Sequence, residues 1–255
     1  MNNPFDLSGR VALVTGGNGG IGFGMAEGLA AAGAAVMIAG RDRAKSEAAV
    51  AKLRDAGRTA EAVTVNVADE TSCRAMVATT AATLSRLDIL INNAGIGRGQ
   101  RPEEFPLADW NSVLATNLTG AFIAAQAAYL VMKNQGGGKI INIGSMYSIF
   151  GAWHSAAYGA SKGGIVQLTK SLATAWAPDN VQVNAVLPGW IDTDLTRRAR
   201  AQRPELHDAV VGRTPAARWG APRDLAGIAV FLASAASDFV TGAAIPVDGG
   251  FAIQG

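Results

Sequence analysis

A doubly wound α/β domain is the fold this sequence predicts, with seven parallel strands in one sheet and helices on both faces. Three observations lead there. Short apolar runs rich in Val and Ile recur along the 255 residues, longer helical stretches separate them, and no Pro/Ser-rich linker or short repeat divides the chain. The runs are Val11–Val14, Val36–Ala39, Ala62–Val67, Ile89–Ile91, Ile140–Ile143, Val181–Leu187 and Ala244–Val247. They lack polar alternation, as strands covered on both faces must. Helices are expected over Ile21–Ala32, Arg43–Ala56, Glu70–Ser85, Asp109–Lys133, Tyr158–Trp176 and Pro222–Ala233. Repeated β-α units imply right-handed crossovers. Residues 1–255 are therefore read as a single domain. The stretch 190–217, after the Pro188-Gly189 turn, breaks the rhythm: it is polar and rich in arginine. Loops of that length are commonly lids, so a flap over the functional site is expected there.

Composition narrows the function. Hydrophobic residues make up 49% of the chain and charged residues 16%, a surplus that suggests buried surface between subunits. With 22 Lys and Arg against 20 Asp and Glu, there is no field to recruit nucleic acid or an anionic membrane. The basic cluster Arg197–Arg200 reads as a solvated helix face. A single cysteine, Cys73, allows no intrachain disulfide and fits a core position in a reducing compartment. The start of the sequence lacks a basic n-region and an apolar h-region, which argues against a secretory signal. Trp110–Met132 and Ile140–Ser161 carry no Asp, Glu, Lys or Arg, yet Asn, Ser, Thr, Gln and Gly interrupt them, so both are read as buried soluble segments. A cytoplasmic protein is expected. His154 has no second histidine nearby, so no metal site is expected.

Directly after the first strand comes Thr15-Gly16-Gly17-Asn18-Gly19-Gly20-Ile21-Gly22, and a helix follows. Glycines let backbone approach a pyrophosphate closely, and the helix N-terminus offers free N–H groups and partial positive charge to the same anion. A strand before and a helix after are the context that makes such a loop a dinucleotide site. Farther on, Tyr158 and Lys162 lie four apart on a helix and share a face. A free phenol has a pKa of about 10, so roughly one in a thousand is ionised at pH 7. A neighbouring ammonium would favour the phenolate and let the tyrosine act as acid or base.

The spacing T-G-x-x-x-G-x-G resembles the short-chain dehydrogenase/reductase family, and the resemblance covers essentially the whole chain. Asn92-Asn93-Ala94-Gly95, Asn117, Ser145, Tyr158-x-x-x-Lys162 and Pro188-Gly189 match its patterns in order. The resemblance implies a Rossmann fold and hydride transfer between a nicotinamide and the carbonyl or alcohol carbon of a small molecule. It implies that Tyr158 exchanges the proton, Ser145 holds the substrate oxygen, Lys162 binds the nicotinamide ribose, and Asn117 holds a water linking Lys162 to solvent. Cofactor contacts are expected from Gly16, Asn18, Gly19, Gly20, Ile21, Gly22, Arg41, Asn66, Val67, Asn93, Ala94, Gly95, Tyr158, Lys162, Pro188, Gly189, Ile191 and Thr193.

In this family an NAD-selecting Asp would align with Gly40; here the acid is missing and Arg41 follows, able to fork onto a 2′-phosphate. Asp42 and Gly19 weigh the other way, since many NADP-dependent relatives carry a basic residue where Gly19 stands. On balance NADP(H) is favoured over NAD(H). Asn66-Val67 departs from the usual Asp-Val, and Asn retains an acceptor for the adenine.

The substrate stays open between two classes. Arg98 could meet a carboxylate, and Arg218-Trp219-Gly220 resembles the sugar-acid dehydrogenases of the family. Met146, Ile149, Trp153 and Trp190 could instead line an apolar pocket for a ketone or 3-oxoacyl thioester; His154 sits in the same loop. A non-catalytic redox sensor is the rival from another class, against which the intact Ser145, Tyr158 and Lys162 stand. Uncharged second faces on the Asp109–Lys133 and Tyr158–Trp176 helices suggest pairing across two-fold axes, and the family resemblance implies a homotetramer.

Overall fold

Val11–Thr15 forms β1, a strand with every residue buried, and around it the chain lays down one sheet of seven parallel strands. The computed structural model describes residues 3–254. In chain order the elements are β1, α1 (Gly20–Ala31), β2 (Ala35–Gly40), α2 (Arg43–Asp55), β3 (Ala60–Thr64), α3 (Glu70–Leu84), β4 (Ile89–Asn92), α4 (Leu107–Leu114), α5 (Gly120–Asn134), β5 (Gly138–Ile143), α6 (Ala156–Trp176), β6 (Val181–Pro188), α7 (Asp194–Gln202), α8 (Leu206–Arg213), α9 (Ala226–Ala233) and β7 (Ala244–Val247). The strand order is β3-β2-β1-β4-β5-β6-β7. Its direction reverses between β1 and β4, and in such sheets the crevice beyond the carboxyl ends at the reversal is where ligands bind.

Alternate residues of each strand feed opposite cores. Ala12, Val14, Val36, Ile38, Ile89 and Ile91 join α1, α2 and α9 in one cluster, whereas Leu13, Met37, Leu90, Ile140 and Val183 join α3, α5 and α6 in another. Cys73 lies fully buried in the second, where desolvation pushes its thiol up to about 11. Leu107–Asn134 is apolar and long enough by composition to cross a membrane, yet Ala121, Ile123, Ala124, Ala128 and Met132 of α5 are buried against the sheet.

Several elements differ from the sequence reading; the helix expected over Asp109–Lys133, for one, carries a π turn at Ala115–Thr119 between α4 and α5. The third strand was expected over Ala62–Val67 and runs over Ala60–Thr64, because its partner β2 ends at Gly40, opposite Thr64. The stretch 190–217 is not irregular. Thr193 caps α7 and Thr196, three residues on, returns the bond, a capping box in a polar segment with no apolar stripe to announce a helix. Ile191 pairs with Gly220, which closes the base of this segment.

Candidate active site

The carboxyl ends of β1, β4, β5 and β6 carry the residues that the sequence singles out. At the end of β1, Thr15 Oγ1 accepts from the Asn93 and Ala94 amides at 3.0 and 3.1 Å and donates to the Ile91 carbonyl at 3.2 Å. Asn93 Nδ2 donates back to the Thr15 and Gly16 carbonyls at 3.0 and 3.1 Å. The turn Asn93-Ala94-Gly95 is thereby clamped to the glycine loop. Gly22 makes the clamp possible: a Cβ there would strike the Gly16 carbonyl and Asn93 Nδ2. The first turn of α1 carries no acid, and Gly19 caps it with no side chain, so its free N–H groups are open to an anion.

At the end of β2, Asn18 Nδ2 donates to Ser46 Oγ at 3.1 Å and lies against Gly40. A Cβ at Gly40 would strike that amide, so an acid in this position would have to displace the Asn18 side chain. Arg41 is exposed and makes no hydrogen bond or ion pair among the described residues. Asp42 accepts from the Lys45 amide at 3.0 Å and caps α2. Asn66 accepts from the Ala68 amide at 3.3 Å, a local turn that occupies the oxygen expected to meet an adenine. Val67 is buried.

Asn117 is 2% exposed, in a π turn (Ala115–Thr119) between α4 and α5. Its Oδ1 accepts from the Ile96 amide at 2.8 Å, and its Nδ2 donates to the Ile96 carbonyl at 2.9 Å and to Ser161 Oγ at 3.1 Å. The side chain thus acts as a strand partner for the loop after β4. Both of its N–H donors are engaged, so the water expected on it would have to use its remaining lone pair or its backbone.

Ser145 follows β5, its hydroxyl accepting from the Tyr147 amide at 3.2 Å. Ser148 Oγ accepts from the Ser145 amide at 3.1 Å and donates to the Lys162 carbonyl at 2.8 Å, tying Ser145 to α6. Tyr158 and Lys162 project from α6, and Lys162 Nζ donates to the Ile143 carbonyl at 2.7 Å, 5.7 Å from the centre of the Tyr158 ring. Burial pushes the Tyr158 phenol above its ordinary value, while a hydrogen bond from the Ser145 hydroxyl pulls it back and the Tyr147 phenol adds to the rise. Burial also brings the Lys162 ammonium down to about 8. The phenol expected to be lowered by its lysine is raised instead: desolvation disfavours the charged form of both groups.

Pro188 ends β6, and the Gly189 amide donates to the Val247 carbonyl at 3.0 Å. Ile191 is buried, and a Cβ on Gly20 would lie 3.2 Å from Thr193 Cγ2, so the start of α7 rests on the glycine loop.

The expected substrate residues divide. Arg98 is bound to Asp109 at 2.9 Å rather than free, and Met146, 4% exposed, packs with Leu187 and Phe251 in the core. Trp190 packs edge-on against Trp219. His154 lies beside Gly99, with its Nδ1 buried and lacking a partner. Gly97 approaches Tyr158 from the same loop: a Cβ there would lie 3.8 Å from the ring.

Sequence reasoning missed Ser148, Ser161, Tyr147 and Arg203. Ser148 was findable as the third residue after Ser145, the spacing of a capping box. Tyr147 meets Tyr158 edge-on at 6.0 Å. Arg203, at the end of α7, was hidden in the arginine-rich stretch; burial raises the Tyr147 phenol and lowers the His154 imidazole, and the Arg203 charge acts on both, partly offsetting the first and adding to the second.

Known proteins are similar in sequence and fold. The family profile described as enoyl-(acyl carrier protein) reductase matches residues 16–252. A 2-dehydro-3-deoxy-D-gluconate 5-dehydrogenase of Formosa agariphila is 42% identical over 96% of this chain and 94% of its own. A 5-keto-D-gluconate 5-reductase of Escherichia coli is 41% identical over 99% of both. The structure of a gluconate 5-dehydrogenase from Burkholderia cenocepacia, in complex with NADP and tartrate, superposes with a TM-score of 0.93 at 42% identity over 97% of each chain. With its glycine turn clamped at the sheet's reversal and Ser145, Tyr158 and Lys162 gathered beside it, this chain belongs to the short-chain dehydrogenase/reductase family and is an oxidoreductase of alcohol and carbonyl groups.

Proposed function

We propose that the protein is an NADP(H)-linked oxidoreductase that interconverts a secondary alcohol and a ketone on a sugar acid. The observation that carries this reading is the convergence of Ser145, Tyr158 and Lys162 on the edge of a groove whose far end offers Arg41 and no acid at Gly40. The nicotinamide, bound in that groove, supplies or accepts the hydride. Tyr158 gives its hydroxyl proton to the substrate oxygen in reduction and takes it back in oxidation. Ser145, tied to α6 through Ser148, donates its hydroxyl hydrogen to the same oxygen and fixes its position. Lys162 meets the nicotinamide ribose, and its positive charge steadies the phenolate left behind. Asn117 is a positioning residue that sets the loop carrying Ile96 and Gly97 over Tyr158.

Supporting the substrate class are the gluconate and ketogluconate enzymes among its relatives and the tartrate held by one of them. In this chain the carboxylate falls to Arg203 in place of Arg98, which Asp109 neutralises. Arg203 makes no side-chain ion pair among the described residues, and the unpartnered Nδ1 of His154 awaits a substrate hydroxyl. The segment 190–217 is the flap that brings Arg203 in, over a single domain of 1–255. Exposed Leu107, Phe122 and Leu130 on α4 and α5 support a homotetramer, and a reducing cytoplasm suits the free Cys73.

A second reading, reduction of a 3-oxoacyl thioester, is favoured by exposed Ile149 and Trp153, apolar side chains that suit an acyl chain. Assays of 5-keto-D-gluconate, a neutral ketone and an acetoacetyl thioester with NADPH and NADH separate the two. Highest kcat/KM for the sugar acid with NADPH is expected, together with a raised KM for that substrate alone in Arg203→Ala. Preference for the thioester would overturn the sugar-acid reading.

A further inference from the structure

We infer that Lys45, on the first turn of α2, is the second cation for the ribose 2′-phosphate, supplied from outside the glycine turn where the turn itself has only Gly19. The inference rests on the NADP reading of the groove. A Cβ built on Gly19 would lie 3.2 Å from both Cε and Nζ of Lys45. The ammonium thus fills the space that a side chain from position 19 would enter. Gly19 is extended, with φ at 175°, so no backbone constraint kept a basic residue from that position.

The floor between the two cations is set by Asn18, which reaches across Gly40 to Ser46 and holds the ends of β1 and β2 together. Arg41, next to Gly40 at the end of β2, is exposed and without a partner among the described residues, and Lys45 is exposed beside Gly19. The neighbouring carboxylates are engaged elsewhere: Asp42 is turned to the α2 amide of Lys45, and Glu47 is paired with Arg43. In this structure Lys45 Nζ meets Asp194 at the start of α7, at 3.3 Å, with both side chains half exposed or more. That is a long, solvated ion pair, worth little. A phosphate monoester carries about −1.5 to −2 charge and three acceptor oxygens, and so outcompetes one carboxylate for the ammonium. Asp194 keeps Arg197, also at 3.3 Å, so the exchange strands no charge.

Calorimetric titration of the full chain with adenosine 2′,5′-bisphosphate and with 5′-AMP tests this without turnover. Lys45→Ala is expected to weaken the bisphosphate about tenfold while leaving 5′-AMP within about twofold. Lys45→Arg should retain affinity. Adding Gly19→Arg to Lys45→Ala should restore it, because the space that Lys45 occupies is then free. Loss of bisphosphate affinity in Arg41→Ala with none in Lys45→Ala would overturn the role of Lys45 and leave the NADP reading standing. Equal weakening of both ligands in Lys45→Ala would also overturn it. A wild-type chain that binds 5′-AMP as tightly as the bisphosphate would instead overturn the NADP reading, and this inference with it.

Discussion

The floor of the groove and the segment 190–217, the proposed flap, are held by different physics. On the floor, side chains bind backbone: Asn93 to Gly16, Asn117 to Ile96, Lys162 to Ile143, Ser148 to Lys162. These bonds are buried or partly so, and breaking one leaves a polar group stranded. In the segment 190–217, partly exposed charges bind one another: Asp192 meets Arg197 and Arg200, and just beyond it Arg218 meets Asp224. Trp219, also just beyond it, has Arg200 4.3 Å from its ring centre and His207 stacked at 6.4 Å. The contrast teaches where geometry is fixed. Reacting groups need positions good to a fraction of an ångström, and backbone-directed bonds supply that. A flap that admits substrate needs contacts that open at low cost, and solvated ion pairs supply those.

The comparison can be broken most forcefully at Gly22. Gly22→Ala drives a methyl into the Gly16 carbonyl and the Asn93 amide, with no flexible side chain to give way at the carbonyl. A loss of about 1–3 kcal/mol in chemical denaturation is expected, with dinucleotide binding lost as well. Wild-type stability and binding would show that the clamp is not rigid.

Next in size is a pH effect set by the buried floor. Lys162 sits at about 8 in the folded chain against 10.5 for a free lysine. Within that window the unfolded chain holds a proton that the folded chain has released, so this group makes stability rise with pH. Tyr158 acts oppositely and only above its ordinary value of 10, where the unfolded chain ionises first. The melting midpoint of wild type minus that of Lys162→Met should climb from about pH 7.5 to 9.5. A difference that stays flat or falls would place the ammonium in water rather than in the core.

The smallest effect belongs to the flap. Asp192→Ala removes two ion pairs, yet the melting midpoint should stay within about 2 °C of wild type, with KM for substrate moving more than kcat. A larger drop in stability would make the flap part of the cooperative core.

The sheet was legible because both its faces are covered: strands such as Val11–Thr15 and Ile89–Asn92 contain no solvent-facing positions and read as short apolar runs. Ser145, Tyr158 and Lys162 were legible because they sit at fixed spacings on one loop and one helix. The flap helices were not, since α7 has no buried residue and its cap, Thr193 with Thr196, is a weak signal among polar neighbours. The state of Arg98 depends on Asp109, a partner that spacing alone does not mark out, and Lys45 meets Asp194 across 149 positions. Such pairings are products of topology. The balance at Tyr158 was misjudged for a related reason, because burial has no signature in a four-residue spacing.

The central claim is that the Tyr158 hydroxyl carries the proton beside a bound nicotinamide. Tyr158→Phe removes that oxygen and keeps the ring that packs on Tyr147. Reduction of 5-keto-D-gluconate by this variant should fall by about 10²–10⁴-fold in kcat, with NADPH affinity within about twofold of wild type. Turnover at the wild-type rate would contradict the account.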